Sequence, residues 1–99
     1  MSLKEPTIIY QLCLFDGVYK IGITKNLGIR LEQIRSHCKN AYVIEAIPLS
    51  TRYKAQTAEA KLKSMYKDRL CNMESAVLPN TEMYNMRITK KDFMEALND

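Results

Sequence analysis

Asp16-Gly17, set between two runs of strand-forming residues, constrains this chain more than any other pair. Both positions tolerate positive φ, which makes the dipeptide the strongest short-range hairpin signal. The run before it, 7–14 (Thr-Ile-Ile-Tyr-Gln-Leu-Cys-Leu), is rich in β-branched and aromatic side chains. The run after it alternates Tyr19, Ile21 and Ile23 on one face of a strand. Asn26 then suits a helix N-cap, because its side-chain oxygen can accept from a free N–H of the first turn. The chain therefore turns from strand into helix and carries Arg30 just past the corner. A strict two-residue turn pairs Phe15 with Val18, Cys13 with Lys20 and Tyr10 with Ile23, placing Tyr10 on the side of Tyr19. A bulge or longer turn reverses this and sets Tyr10 with Lys20 and Gly22. Both registers remain open.

The rest of the chain reads as alternating helices and strands. A first helix is expected over about 27–38, with Leu27, Leu31, Ile34 and Cys38 as its apolar stripe and Arg30, Gln33 and His37 on a neighbouring face. Residues 41–47 form a third strand closed by Pro48. A second helix, capped by Ser50 or Thr51, covers about 53–70 and buries Ala58, Leu62, Met65 and Tyr66, with Glu59 at the edge of that stripe. Residues 71–81, with Pro79-Asn80, read as loop, and a short strand follows around Glu82 to Ile88. The last helix, about 90–97, has Thr89 as cap, Asp92 at the capping-box position and Ile88 and Phe93 at staple spacing. The order ββαβα(β)α gives an α+β class with a small antiparallel sheet of three, possibly four, strands flanked by helices. One domain spans 1–99, with 1–6 as a flexible lead.

Charge is unevenly placed. Arg52, Lys54, Lys61, Lys63, Lys67 and Arg69 face only Glu59 and Asp68 within one segment, which accounts for the whole net charge of +4. A localised basic excess fits an anionic partner, nucleic acid first, or a solvated helix face. No apolar run reaches the ~18 residues of a membrane span, and the first residues have no signal-peptide core. Cys13, Cys38 and Cys71 are odd in number and widely spaced, which argues against a disulfide framework and a zinc knuckle and for a reducing, cytoplasmic setting. The methionines read as adaptable core filler.

Several patterns in order then resemble a known superfamily. Ile8-Ile9-Tyr10 followed by Lys20-Ile21-Gly22 resembles the paired strands of the GIY-YIG nuclease domain. Gly22-x-x-x-Asn26-Leu27-x-x-Arg30 is similar to that family's second strand and arginine-bearing helix. Tyr19-Lys20-Ile21-Gly22-Ile23-Thr24 is closest to the "YKIG.T" form of a phage-associated branch, in which lysine replaces the second motif's tyrosine. Glu59-x-x-Leu62-Lys63-x-x-Tyr66 matches the spacing of that branch's E-x-x-L-H-x-x-F helix, and Glu82-Met83-Tyr84 echoes its E-W-F.

The resemblance implies hydrolysis of a DNA phosphodiester with one divalent ion, Mg²⁺ or Mn²⁺. Its implied catalytic set is Tyr10, Tyr19 or Lys20, Arg30 and Glu59. Glu59 is the metal ligand, a hard oxygen donor of the kind Mg²⁺ takes one or two of. Arg30 offers a donor fork for phosphate oxygens, and Tyr10 activates or orients water. Lys25, Arg35, His37, Lys39, Lys61 and Lys63 are the expected DNA-backbone contacts. A module this small leaves specificity to a protein partner, a homodimer or a fused domain; a viral chain would act in the host cytoplasm. Three positions depart from the family: Ile8 replaces the first motif's glycine, Lys63 a histidine, and Ile34 a histidine or tyrosine. They keep a second reading in play, a nucleic-acid-binding or protein-interaction module that has lost turnover. Without the resemblance, Tyr10 and Tyr19 read as core aromatics, Arg30 as a solvated helix charge, and Glu59 as an i,i+4 partner of Lys63.

Overall fold

The two strand runs pair as a hairpin, in the register that a bulge produces. In the computed structural model, which describes residues 6–15, 17–71 and 83–97, β1 (Thr7–Phe15) lies antiparallel to β2 (Val18–Thr24). Gly17 has φ of 75°, the left-handed region that favours glycine. Phe15 pairs with Val18 as a two-residue turn requires, but Cys13 pairs with Tyr19 and Tyr10 with Gly22. One extra residue between Cys13 and Phe15 shifts the ladder, so Tyr10, Leu12 and Leu14 share a face with Lys20 and Gly22. Tyr19, Ile21 and Ile23 share the other face with Ile9.

Beyond the corner, α1 (Leu27–Arg35), β3 (Tyr42–Leu49), α2 (Arg52–Met65), β4 (Leu70–Cys71), β5 (Met83–Tyr84) and α3 (Lys90–Leu97) complete an α+β fold. A single 3₁₀ turn, Lys67–Arg69, joins α2 to β4. The sheet order is β3-β1-β2-β5-β4, with every pairing antiparallel. It therefore has five strands instead of three or four, because two two-residue strands add themselves beyond β2. The helices start where local capping predicts. Asn26 accepts from the Ile29 N–H at 3.0 Å, Thr51 from Lys54 at 3.1 Å and Thr89 from Asp92 at 3.1 Å.

Their ends come earlier than expected. The carbonyl of Ile34 takes the Cys38 N–H at 2.8 Å in the turn that closes α1, and α2 stops at Met65 before the 3₁₀ turn. β3 runs through Pro48 to Leu49, which an edge strand tolerates since only one side of it needs donors. The expected flexible lead up to residue 5, the Asp16 turn position, the loop with Pro79-Asn80 and Glu82 lie outside the described residues.

Two cores sandwich the sheet. On one face Tyr10, Leu12, Leu14 and Val18 pack against Ile34 and Cys38 of the α1 region. On the other, Ile9 and Ile21 pack against Ala58, Leu62 and Tyr66 from α2 and its end, and Phe93 and Ala96 from α3. Met65 is 45% exposed, and Met86 and Met94 are also exposed, so of the described internal methionines only Met83 is core filler. Cys13 and Cys38 are buried free thiols.

Segment 83–97 is fastened by polar bonds at two points. Gln11, fully buried in β1, donates from Nε2 to the Ile88 carbonyl at 3.1 Å and accepts from the Ile88 N–H at 2.8 Å. Its side-chain amide thus does what a neighbouring strand would do. The Tyr66 hydroxyl donates to Asp92 Oδ2 at 2.5 Å and accepts from the Thr89 N–H at 3.3 Å. It stands inside the α3 capping box, between the cap residue and the carboxylate. Burial, reinforced by the bond to Asp92, raises the Tyr66 phenol above its ordinary pKa.

Replacing Gln11 with leucine strands the N–H and C=O of Ile88 in a dry environment. Urea denaturation of Gln11→Leu is expected to show a loss of about 2–4 kcal/mol. A change below about 0.5 kcal/mol would mean that the amide clamp is dispensable.

Candidate functional site

The β2–α1 corner is fixed by four hydrogen bonds. The Thr24 hydroxyl accepts from the Asn26 N–H and donates to the Asn26 carbonyl, both at 3.2 Å. That carbonyl also takes the Arg30 N–H at 3.1 Å, and the Asn26 side chain caps Ile29. The start of α1, and with it Arg30, is thereby held against the end of β2.

Across the sheet from this corner, Tyr10 lies over its register partner Gly22. A Cβ on Gly22 would sit 2.5 Å from Tyr10 Cζ and closer still to the hydroxyl, so only glycine admits the ring. Tyr10 is 1% exposed, and no hydrogen bond joins its hydroxyl to a described residue. A buried hydroxyl without a partner is uncommon and points to water, an ion or a ligand group. Burial pushes its pKa up; the Arg30 guanidinium pulls it back and the Glu59 carboxylate pushes it further. Both charges therefore act on this one oxygen, although α1 and α2 pack on opposite faces of the sheet. Among the described residues β5 pairs with β2 only at Tyr84 with Tyr19.

Tyr10, Arg30 and Glu59 are thus electrostatically linked, and Lys20 shares the face of Tyr10. Tyr19 does not join them: its side chain packs with Ile9, Ile21 and the α2–α3 core. The open question of register is answered in favour of Lys20 by the bulge. Glu59 is half-buried and has Lys63 Nζ at 3.9 Å, a loose i,i+4 contact.

The expected DNA contacts fall into three groups. Lys25 sits on the corner and lines a shallow depression of about 350 Å³ with Arg30, Gln33 and Arg52. Arg35, His37 and Lys39 lie at the far end of α1, where Arg35 Nε donates to the Ala41 carbonyl at 2.9 Å and helps hold the turn. Lys61 and Lys63 lie on α2. Sequence reasoning missed Arg52 as a site residue. It counted in the basic excess of its segment, but its place in the same depression as Lys25 comes from the tertiary fold, which no local pattern encodes.

Residues 7–98 match the T5orf172 domain family. The chain belongs to that family. The T5orf172 domain is a phage-associated one in the nuclease-associated, GIY-YIG-like group. No curated protein and no solved structure is matched by the chain. No described helix is long and apolar enough to cross a membrane. Among the described residues no three His, Cys, Asp or Glu side chains gather as a metal cage.

The electrostatics of this T5orf172 domain can be read directly from Tyr10. Arg30→Ala should raise the titration midpoint of the Tyr10 phenol and Glu59→Gln should lower it, measured by NMR of ring-labelled tyrosine at alkaline pH. If neither variant moves the Tyr10 resonance, the three groups do not form one site.

Proposed function

We propose that this domain is a metal-dependent DNA endonuclease of GIY-YIG type. The observation that carries the reading is the buried Tyr10 hydroxyl, which has no hydrogen bond to a described residue and lies under the joint influence of Arg30 and Glu59. These are the positions that the nuclease motifs mark, and membership of a nuclease-associated family supports it.

The chemistry follows from the side chains. A phenol kept neutral by burial is a hydrogen-bond donor at neutral pH, so Tyr10 orients the attacking water or a phosphate oxygen. Arg30 offsets the extra negative charge of the transition state, and its planar fork matches two phosphate oxygens. Lys20, on the face of Tyr10, adds a further positive charge toward phosphate. Glu59 would hold the divalent ion. A single carboxylate suits Mg²⁺ or Mn²⁺ completed by water and substrate phosphate. The ion, when bound, supplies Lewis-acid stabilisation of the phosphoryl and leaving oxygens. Basic residues of the corner and of α2 contact the backbone without reading sequence.

One observation favours the second reading, a DNA-binding module without turnover. Lys63, which stands where the related motif has histidine, brings its ammonium to 3.9 Å from Glu59 and competes with a metal for that carboxylate.

Supercoiled plasmid incubated with Mg²⁺ or Mn²⁺ separates the two. The enzyme reading expects nicking by the wild-type domain, a fall of about 100-fold or more in Glu59→Ala and Arg30→Ala, and near-unchanged nicking in Tyr19→Phe. Absence of nicking at every metal concentration, with salt-sensitive DNA binding that survives Glu59→Ala, would establish the binding module instead.

A further inference from the structure

The depression beside Arg30 has its own chemistry. It is lined by Ile23, Thr24, Lys25, Asn26, Ile29, Arg30, Gln33 and Arg52, among which there are three cations and no carboxylate. The cations come from three places: the strand–helix corner, the second turn of α1, and the first residue of α2. Neither Arg30 nor Arg52 is ion-paired with a described residue. The two guanidinium forks are thus available to an anion seated between them.

Arg30 belongs to both neighbourhoods. It acts on the Tyr10 hydroxyl and also walls the depression, whereas Glu59 is not among the lining residues. Arg52 and Glu59 lie seven positions apart on α2, about two turns, which separates them by about 10 Å along the helix axis. That distance suits contacts to different phosphates of one strand better than a shared contact to one.

We infer that this depression is a second phosphate subsite, seating a DNA backbone phosphate next to the scissile one, with Arg52 as its principal binding residue and Lys25 at its rim. The inference rests on the nuclease reading for its choice of ligand. It adds that α2 runs along the strand, with Glu59 at the reacting phosphate and Arg52 at a neighbour. Thr24 and Asn26 shape the floor of the subsite, since their side chains are already engaged in fixing the corner. The site reads backbone charge and not bases, so its contribution should be uniform across sequences.

The test is binding in the absence of divalent metal, which removes cleavage from the readout. A fluorescent DNA duplex is titrated with wild type, Arg52→Ala, Arg52→Lys and, as a basic residue outside the depression, Lys90→Ala, over a range of salt concentrations. Loss of one phosphate contact lowers the magnitude of the salt slope by about 0.9. Arg52→Ala is expected to show that loss, with several-fold weaker binding at low salt on duplexes of unrelated sequence. Arg52→Lys keeps the slope, and Lys90→Ala changes it less than Arg52→Ala does. If Arg52→Ala keeps the wild-type slope while wild type binds, the subsite is overturned and the nuclease reading stands. If wild type fails to bind DNA even at low salt, the nuclease reading falls and the subsite with it.

Discussion

The position of the Tyr10 ring over Gly22 depends on two features that would each be useless alone. The extra residue between Cys13 and Phe15 slips the hairpin by one, and a one-residue slip sends every side chain of a strand to the opposite face. Without it Tyr10 would stand opposite Ile23, on the side of Tyr19 and the α2–α3 core. With it, the ring needs space above β2, and only the missing Cβ of Gly22 leaves that space. Lys20 is brought to the same face by the same slip. The bulge thus selects which pair of side chains is offered to the α1 face, and the glycine allows the larger of them to lie down.

A sheet with helices on both faces divides its side chains into two populations that do not ordinarily meet. Arg30 belongs to α1 on the Tyr10 face, while α2, which carries Glu59, packs over Ile9 and Ile21 on the other. Both charges nevertheless act on the Tyr10 hydroxyl. β5 stops after two residues, and the chain that follows is held by other means. Gln11 offers its amide to Ile88 in place of a longer strand ladder, and Tyr66 ties the start of α3 to the end of α2. Together these bonds fix the chain that follows β5 without a longer ladder.

What could be read from the sequence was whatever is encoded locally. Asn26, Thr51 and Thr89 each cap the helix that follows, because a cap is a contact across three residues. The stripes of α1 and α2 were legible for the same reason, apart from Met65, which is exposed although Leu62 and Tyr66 on either side of it are buried. The bulge was not legible. Tyr10, Leu12 and Leu14 alternate with Ile9, Gln11 and Cys13, both sets are buried, and neither declares which face it takes. Two-residue strands such as β4 and β5 are too short to show a period. For the candidate site, the motif resemblance marked Tyr10, Arg30 and Glu59, but it could not choose between Tyr19 and Lys20. Arg52 was invisible as a site residue because its neighbours Lys25 and Arg30 are more than twenty positions away.

The strongest argument against a purely structural role for Tyr10 is energetic. If the ring were there only to fill space beneath α1, phenylalanine would fill it without burying a hydroxyl. An unsatisfied buried polar group costs about 1–3 kcal/mol, and the stability of a domain this size leaves little room for such losses. Beside it, Arg30 and Arg52 line one concave wall with Lys25. A hydroxyl with no hydrogen bond to a described residue and a depression whose two arginines pair with no described carboxylate thus both lie within reach of Arg30. Adjacent phosphates of one DNA strand would serve both, one accepting the hydrogen bond from the phenol and the next seated between the arginines. That shared remedy argues that the two features form one surface.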